Sequence, residues 1–195
     1  GARLVHTPGQ LATALRRART EAQLVYGVER FYLEKAILPA HQIGVQVLAD
    51  KHGHQVHLEE REGSLLRNGQ KVIEESPAPC LSPDQRTALW ATALQIAALF
   101  GHENVGTIEF LVDEERHFYF AEIKPRLQIE HPLTEMRTRI DLVREQIRLA
   151  AGEPLGFTQG DLHPRGWAIL CRVNAEDPLQ PRPYQLVPLL MALKL

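Results

Sequence analysis

Two periods run along this chain, an alternation of apolar and polar residues in some stretches and a recurrence every three to four residues in others. Together they predict a mixed order of strands and helices. Ile43, Val45, Val47 and Ala49 stand against Gly44, Gln46, Leu48 and Asp50, the pattern of a strand. Asp50-Lys51-His52-Gly53 supplies a turn, and Gln55 to Glu60 returns as a hairpin partner. A second hairpin joins the strand around Gly106-Thr107-Ile108-Glu109-Phe110-Leu111 to Phe118–Lys124 through the charged turn Asp113-Glu114-Glu115-Arg116. In its second strand Phe118, Phe120, Glu122 and Lys124 are assigned to one side, and Tyr119, Ala121 and Ile123 to the other. Further strands are expected at 1–5, at Phe31–Lys35 and, largely buried, at Trp167–Val173.

The helical period begins after Thr7-Pro8-Gly9-Gln10, which offers an N-cap, a proline for the first turn and a glutamine to close a capping box. This helix is expected to reach about Val25, with Leu11, Leu15, Ala18 and Ala22 on its apolar face and Arg16, Arg17 and Arg19 solvated. Ser82-Pro83-Asp84-Gln85 repeats the start signal, followed by Leu89, Ala93, Ile96 and Phe100 as a buried stripe and by Gly101 as a stop. A third helix spans Asp141 to Ala150 on Leu142, Ile147 and Leu149. Ser76–Cys80 reads as an extended linker.

Composition narrows the class without naming a chemistry. The 195 residues are 44% hydrophobic and 24% charged, which is ordinary for a globular domain. A net charge of -2 argues against a general nucleic-acid binder. Cys80 and Cys171 are too few for a disulfide framework, and neither CxxC nor a Cys/His zinc spacing occurs. His52, His54 and His57 alternate, but with no completing ligand in sequence they are read as a solvated turn and strand. There is no run of 18 apolar residues and no signal-peptide layout, so a reducing, intracellular setting without a membrane is expected.

Candidate chemistry gathers in the second hairpin and just beyond it. Glu109 and Glu122 on paired strands would face one another, and two such carboxylates repel unless a cation lies between them or water solvates both. An Arg, an amide, a third carboxylate and an imidazole follow at Arg126, Gln128, Glu130 and His131. Arg172, in a strand expected to be buried, would need an anionic partner if its head lies inside. Glu34-Lys35 and Lys71 read equally as surface charges.

The block Phe118–Met136, with Glu34-Lys35, Gln70–Glu75, Asp141-Leu142-Val143 and Cys171–Pro178, resembles in order and spacing the ATP-grasp domain of biotin carboxylases. The resemblance covers about 1–178 and implies an α+β ATP-grasp fold, antiparallel sheets with flanking helices. The N-terminal subdomain and most of the C-terminal one are expected to be missing. Residues 179–195 depart from the pattern as an atypical or truncated tail, whose apolar end at Leu189 to Leu195 would be a sticky patch if exposed. An internal fragment is therefore expected.

The resemblance implies ATP-dependent carboxylation of carrier-bound biotin from bicarbonate through carboxyphosphate. Glu34, Lys35, Ile37, Gln42, Glu109 and Glu122 would bind ATP, with Glu109 and Glu122 also holding Mg²⁺ or Mn²⁺. Glu130 would deprotonate bicarbonate, Arg126 would stabilise the biotin oxyanion, and Lys71, Arg126, Gln128, the Ile129 backbone and Arg172 would form the bicarbonate and biotin pocket. Its cofactors would be ATP, the metal and biotin on a carrier. Its partners would be a biotin carboxyl carrier and a carboxyltransferase, with a homodimer among the assemblies allowed. Cytoplasm, or the mitochondrial matrix in a eukaryote, is the expected compartment.

Several departures weigh against catalysis by this chain. Lys124 stands where the family places an Asn ligand, and in Glu60–Lys71, which resembles a loop of the family, Gly63, Leu66 and Gly69 replace its Cys, Gln and His. Gln42 stands where it usually has His, with His41 one residue out of register. Weak or absent activity is expected. The alternatives are a non-catalytic interaction module, or another ATP-grasp ligase such as one that forms carbamoyl phosphate.

Overall fold

The computed structural model describes residues 3–67, 69–174 and 189–194, which divide at 38/39 into two units. In the first unit, helix α1 (Pro8–Tyr26) ends where Gly27 adopts a left-handed φ of 68°. Thr7 makes no side-chain cap, and Gln10 reaches past it to accept the His6 N–H at 3.0 Å. Leu11, Leu15, Ala18 and Ala22 do form its more covered face, but no residue of α1 is fully buried. The strands expected at 1–5 and Phe31–Lys35 are absent among the described residues. A strand needs a neighbouring strand to form a ladder, and no strand is described in the first unit beside Phe31–Lys35. Tyr32 and Leu33 stay exposed, while Phe31 lies beneath the Arg19 guanidinium at 5.4 Å.

The second unit is built on β1 (His41–Ala49), β2 (Gln55–Arg67), β3 (Gln70–Ser76), β4 (Asn104–Val112), β5 (Phe118–Lys124), β6 (Ala168–Val173) and β7 (Leu189–Lys194). They form one seven-stranded sheet in the order β5-β4-β1-β2-β3-β6-β7, with every neighbouring pair antiparallel. Helix α2 (Pro83–Leu99) covers one face, and α3 (His131–Thr138) and α4 (Leu142–Ala150) cover the other. Alternation in the strands makes this possible. Ile43, Val45, Val47, Ile108, Phe110 and Val112 point at Leu89, Ala93 and Ala97 of α2. Leu48, Val56, Leu58 and Val105 point the other way, at Leu142 and Leu149 of α4, while Leu133 of α3 meets Ala168 and Leu170.

The Ser82 capping box forms as expected, with Gln85 N–H donating to Ser82 Oγ at 3.3 Å and Ser82 N–H donating to Gln85 Oε1 at 3.0 Å. Phe100 is exposed rather than buried, because α2 ends one residue earlier and Ala97 fills the core position. The loop expected over Glu60–Lys71 is a hairpin: β2 continues to Arg67 and turns directly into β3. His57 is half-buried on the Trp90 ring, with centroids 4.7 Å apart, and not solvated. Trp167 is exposed, so the sixth strand starts one residue later than expected. Ala175–Leu186 and the rest of the expected tail up to 188 lie outside the described residues, whereas Leu189–Lys194 add to the sheet edge beside β6.

One irregularity changes the face assigned to the central residues. Glu122 pairs with Glu109 and Phe120 with Phe110, so Ala121 is an extra residue and β5 is bulged. The bulge reverses the alternation, and Phe118 joins Ile123 on the α2 face while Phe120 stacks on Phe100. Glu122 and Lys124 therefore share the opposite face, level with Glu109 and Thr107.

Candidate functional site

On the face opposite α2, register brings polar residues of four strands side by side. Gly44 pairs with both Arg61 and Glu109, and Gln46 pairs with Thr107. Arg61 is the centre of this patch and is almost completely buried. Its guanidinium donates to Gln46 Oε1 at 3.0 Å, to Thr107 Oγ1 at 2.9 Å and, at short range, to Gln128 Oε1. Its Nε lies 3.4 Å from Glu74 Oε2. Gln128 then donates to Glu109 Oε1 at 3.0 Å, and Lys71 Nζ reaches the same oxygen at 3.2 Å. Lys71 also lies 3.9 Å from Glu74 Oε1.

Two glycines make room for these long side chains. A Cβ at Gly44 would lie 3.0 Å from the Thr107 methyl, and one at Gly63 would lie 2.6 Å from Lys71 Cδ and 2.9 Å from Glu74 Cδ. Burial works against the charge on Glu109, but Lys71 and Gln128 outweigh it and hold the carboxyl below its ordinary value. Burial pushes Glu74 up to about 7, opposed by Arg61 and Lys71 and reinforced by the nearby charges of Glu130 and Glu109. The patch thus presents cations and anions already engaged with one another, with an ammonium and an amide converging on one carboxylate oxygen.

Of the residues singled out in the sequence, Lys71, Glu109 and Gln128 meet directly. Lys71 is therefore an interior strand residue and not a surface charge. Glu122 is opposite Glu109 in register, but its carboxylate pairs with Lys124 Nζ at 2.7 Å. Gln42 lies two residues before Gly44 in β1, and its N–H donates to Ser64 Oγ at 3.0 Å. Glu130, buried, is the N-cap of α3, and its charge acts on Glu74. Ile129 is exposed beside it. Arg126 is also exposed, and its Nη1 donates to the Leu127 carbonyl at 3.1 Å. Arg172 is half-buried and donates from Nε to Asn174 Oδ1 at 3.3 Å, an amide where an anion was expected. Glu34, Lys35 and Ile37 lie in the first unit.

Arg61 and Glu74 were missed in the sequence. The only signal was an arginine flanked by two acids, which reads more simply as a charged loop. Gln46 and Thr107 were likewise seen only as strand positions.

Residues 1–158 match the family model described as the carbamoyl-phosphate synthase L chain, ATP binding domain. The chain belongs to that family. Within it, the chain is 46% identical over 180 residues to the chloroplastic biotin carboxylase of Arabidopsis thaliana, which covers 92% of this chain and 34% of the relative. The fold is similar to that of a Campylobacter jejuni biotin carboxylase in complex with β,γ-ATP, with a TM-score of 0.87, 41% identity and coverage of 91% of this chain and 40% of that one. It is also similar to the biotin carboxylase domain dimer of Hydrogenobacter thermophilus 2-oxoglutarate carboxylase, with MgADP, ADP and bicarbonate, with a TM-score of 0.85, 41% identity and coverage of 90% and 39%. The chain therefore has an ATP-grasp fold of the biotin carboxylase type and spans roughly a third of the length of the curated relatives it matches. No helix among the described residues is long and apolar enough to cross a membrane.

Glu109 and Glu122 are the two carboxylates that would face a metal ion on this hairpin. Each already carries an ammonium, Lys71 on Glu109 and Lys124 on Glu122. An ammonium has no lone pair to offer a metal, and this donor set does not fit Mg²⁺ as arranged.

Proposed function

We propose that this chain is the ATP-grasp portion of a biotin-dependent carboxylase, with residues 1–178 forming the part of that domain present and 179–195 an atypical tail. The observation that carries the reading is the convergence of Lys71 and Gln128 on Glu109 beside Arg61 and Glu74. Such a patch can exchange one of its internal ion pairs for an incoming anion of bicarbonate size. In the reaction of the resemblance, a bicarbonate oxygen attacks the γ-phosphorus of ATP, the bond to the ADP oxygen breaks, and carboxyphosphate forms. Glu130 takes the bicarbonate proton, and Lys71, Arg172 and the Ile129 N–H orient the anion. Arg126, exposed at the rim, stabilises the oxyanion of the biotin ureido group; the C–O bond of carboxyphosphate breaks, the released phosphate takes up the ureido N–H proton, and the carboxyl group forms its new bond to the ureido nitrogen. Gln128 braces Glu109.

ATP contacts are assigned to Glu34, Lys35, Ile37 and Gln42 as well as to Glu109 and Glu122. Biotin would arrive on a carrier protein or domain and leave for a carboxyltransferase, and a second copy of the chain could pair with it. The cytoplasm, or the mitochondrial matrix in a eukaryote, is the proposed compartment.

The chain alone is proposed to be weak or inactive, because Lys124 occupies the carboxylate that would otherwise face a divalent ion. A dication about 4 Å from that ammonium would meet on the order of 8 kcal/mol of repulsion at an effective dielectric near 20, before relaxation. Calorimetry of Mg-ATP with the wild-type chain and Lys124→Asn tests this. The expected result is no micromolar binding by wild type and at least about a tenfold gain in the variant. Biotin-dependent ATP turnover in the variant supports carboxylation, whereas turnover that biotin leaves unchanged favours another ligase. No gain from Lys124→Asn favours the second reading, a non-catalytic module, for which the Lys124–Glu122 pair is the specific observation.

A further inference from the structure

The face of the sheet under α2 carries a second polar group that the proposed chemistry does not use. Glu60 and Glu62 both point to this face from β2, and their surroundings differ. Glu60 is fully matched: Oε1 accepts from Ala78 N–H at 3.0 Å and Arg86 Nε at 2.9 Å, and Oε2 accepts from Trp90 Nε1 at 2.6 Å. Glu62 is matched on one oxygen only. Its Oε1 meets His41 Nδ1 at 2.6 Å and Ser64 Oγ at 2.7 Å, while Oε2 is buried with no nitrogen or oxygen donor among the described residues, and the Cys80 thiol is the further group that hydrogen-bonds to the carboxylate. The side chain is only 8% exposed. A buried carboxylate oxygen without a donor is costly, and in a native fold it asks for an explanation.

The Cys80 thiol lies against the same carboxylate. One donor atom from each of His41, Glu62 and Cys80 falls within 4.8 Å of the other two. We propose that these three side chains form a site for a zinc-class divalent ion, with the fourth position left to water. Imidazole, carboxylate and thiolate together favour a borderline-soft ion over Mg²⁺ or Ca²⁺. Bonds of about 2.0–2.3 Å would place the donors roughly 3.5 Å apart, so donors that lie within 4.8 Å of one another need to close by at most about 1.3 Å.

The surroundings suit such an ion. The bare Glu62 oxygen takes the metal, and the Ser64 hydroxyl, itself held by Gln42 N–H at 3.0 Å, continues to orient Oε1. His41 is 40% exposed and gives the ion a path from solvent. Burial and the Glu62 carboxylate push the Cys80 thiol up to about 12, with Arg116, which donates to the Cys80 carbonyl, opposing them, so an incoming ion has to displace the thiol proton. Bound metal would fasten the start of β1 and the segment leading into α2 to the middle of β2. This proposal is independent of the carboxylase reading, since it concerns the other face of the sheet.

Titration of the whole, chelator-stripped chain with Co²⁺ tests it, followed by competition with Zn²⁺. One equivalent should bind and give a thiolate-to-cobalt charge-transfer absorption, which Zn²⁺ abolishes. Cys80→Ser should remove that absorption, and His41→Ala should weaken binding by about tenfold or more, as loss of a direct ligand must cost at least what an outer-shell partner costs. Zn²⁺ should raise the melting temperature of wild type but not of Cys80→Ser or Cys80→Ala, whose own transitions report that they fold. The exposed group Asp113, Glu115 and His117 supplies the control. Absence of the thiolate band, its survival in both Cys80 variants, or binding lost in His117→Ala and retained in His41→Ala would each overturn the assignment.

Discussion

Arg61 is a buried cation whose Nε faces the Glu74 carboxylate at 3.4 Å without a hydrogen bond and whose terminal nitrogens donate to two amides and a hydroxyl. Removing it would leave Glu74, Gln46, Thr107 and Gln128 facing an apolar side chain, and the penalty for orphaned partners dominates over any gain from a better-packed core. Arg61→Met is expected to lose about 3–5 kcal/mol in urea unfolding. Adding Glu74→Leu should recover part of that loss. A double variant no better than the single one would show that the pair is not energetically linked. His57 makes a different prediction. Burial lowers its pKa from 6.5 to about 4. The neutral form is favoured by the fold, so this contribution is intact above the unfolded value and is lost as pH falls from about 6.5 to about 4. Unfolding midpoints across that window should drop more steeply for wild type than for His57→Gln, and equal slopes would contradict the assignment.

Among the elements, the β2–β3 hairpin does the most to position the site. Glycine at 63 lets Lys71 and Glu74 cross above the sheet, because a methyl group there would overlap both. Gly63→Ala is expected to move Lys71 off Glu109, which is readable as a rise in the Glu109 carboxyl pKa by NMR, since Lys71 is one of the groups that holds it down. An unmoved Glu109 would mean that the long side chains accommodate the methyl without separating. The α2 start was legible from Ser82-Pro83-Asp84-Gln85 because a capping box is closed within four residues. Ser82→Ala should cost about 1 kcal/mol. The bulge at Ala121 was not legible. Its register depends on β4, and local alternation placed Glu122 and Phe120 on one side when the pairing puts them on opposite sides. Phe31–Lys35 failed as a strand for the complementary reason, since propensity alone does not supply the neighbouring strand that a ladder needs.

Across the whole molecule, every buried apolar side chain among the described residues falls between Ile43 and Leu170. The second unit therefore holds the cooperative core, and α1 contributes no fully buried residue. A chain beginning at Pro39 is expected to keep a single thermal transition close to that of the full chain, and amides of α1 should exchange with solvent much faster than those of β1. A broad, non-cooperative melt of the shorter chain would show that residues before 39 are needed for the core.

The β1–β2 and β4–β5 hairpins, the capped start of α2, the helix that became α4 and the family were determined by sequence alone, because each rests on spacing within a short window or on several such windows in order. Lys71, Glu109 and Gln128 could be named as a group by resemblance, but their meeting at one carboxylate oxygen required strands distant in the chain to lie in register. Only the tertiary structure gave Arg61 and Glu74 their place, assigned a separate lysine to each of the paired carboxylates, and put His41, Glu62 and Cys80 together under α2. The physical reason is common to all three. Which charge neutralises which depends on burial and on cross-strand register, and neither quantity is contained in the local pattern of residues.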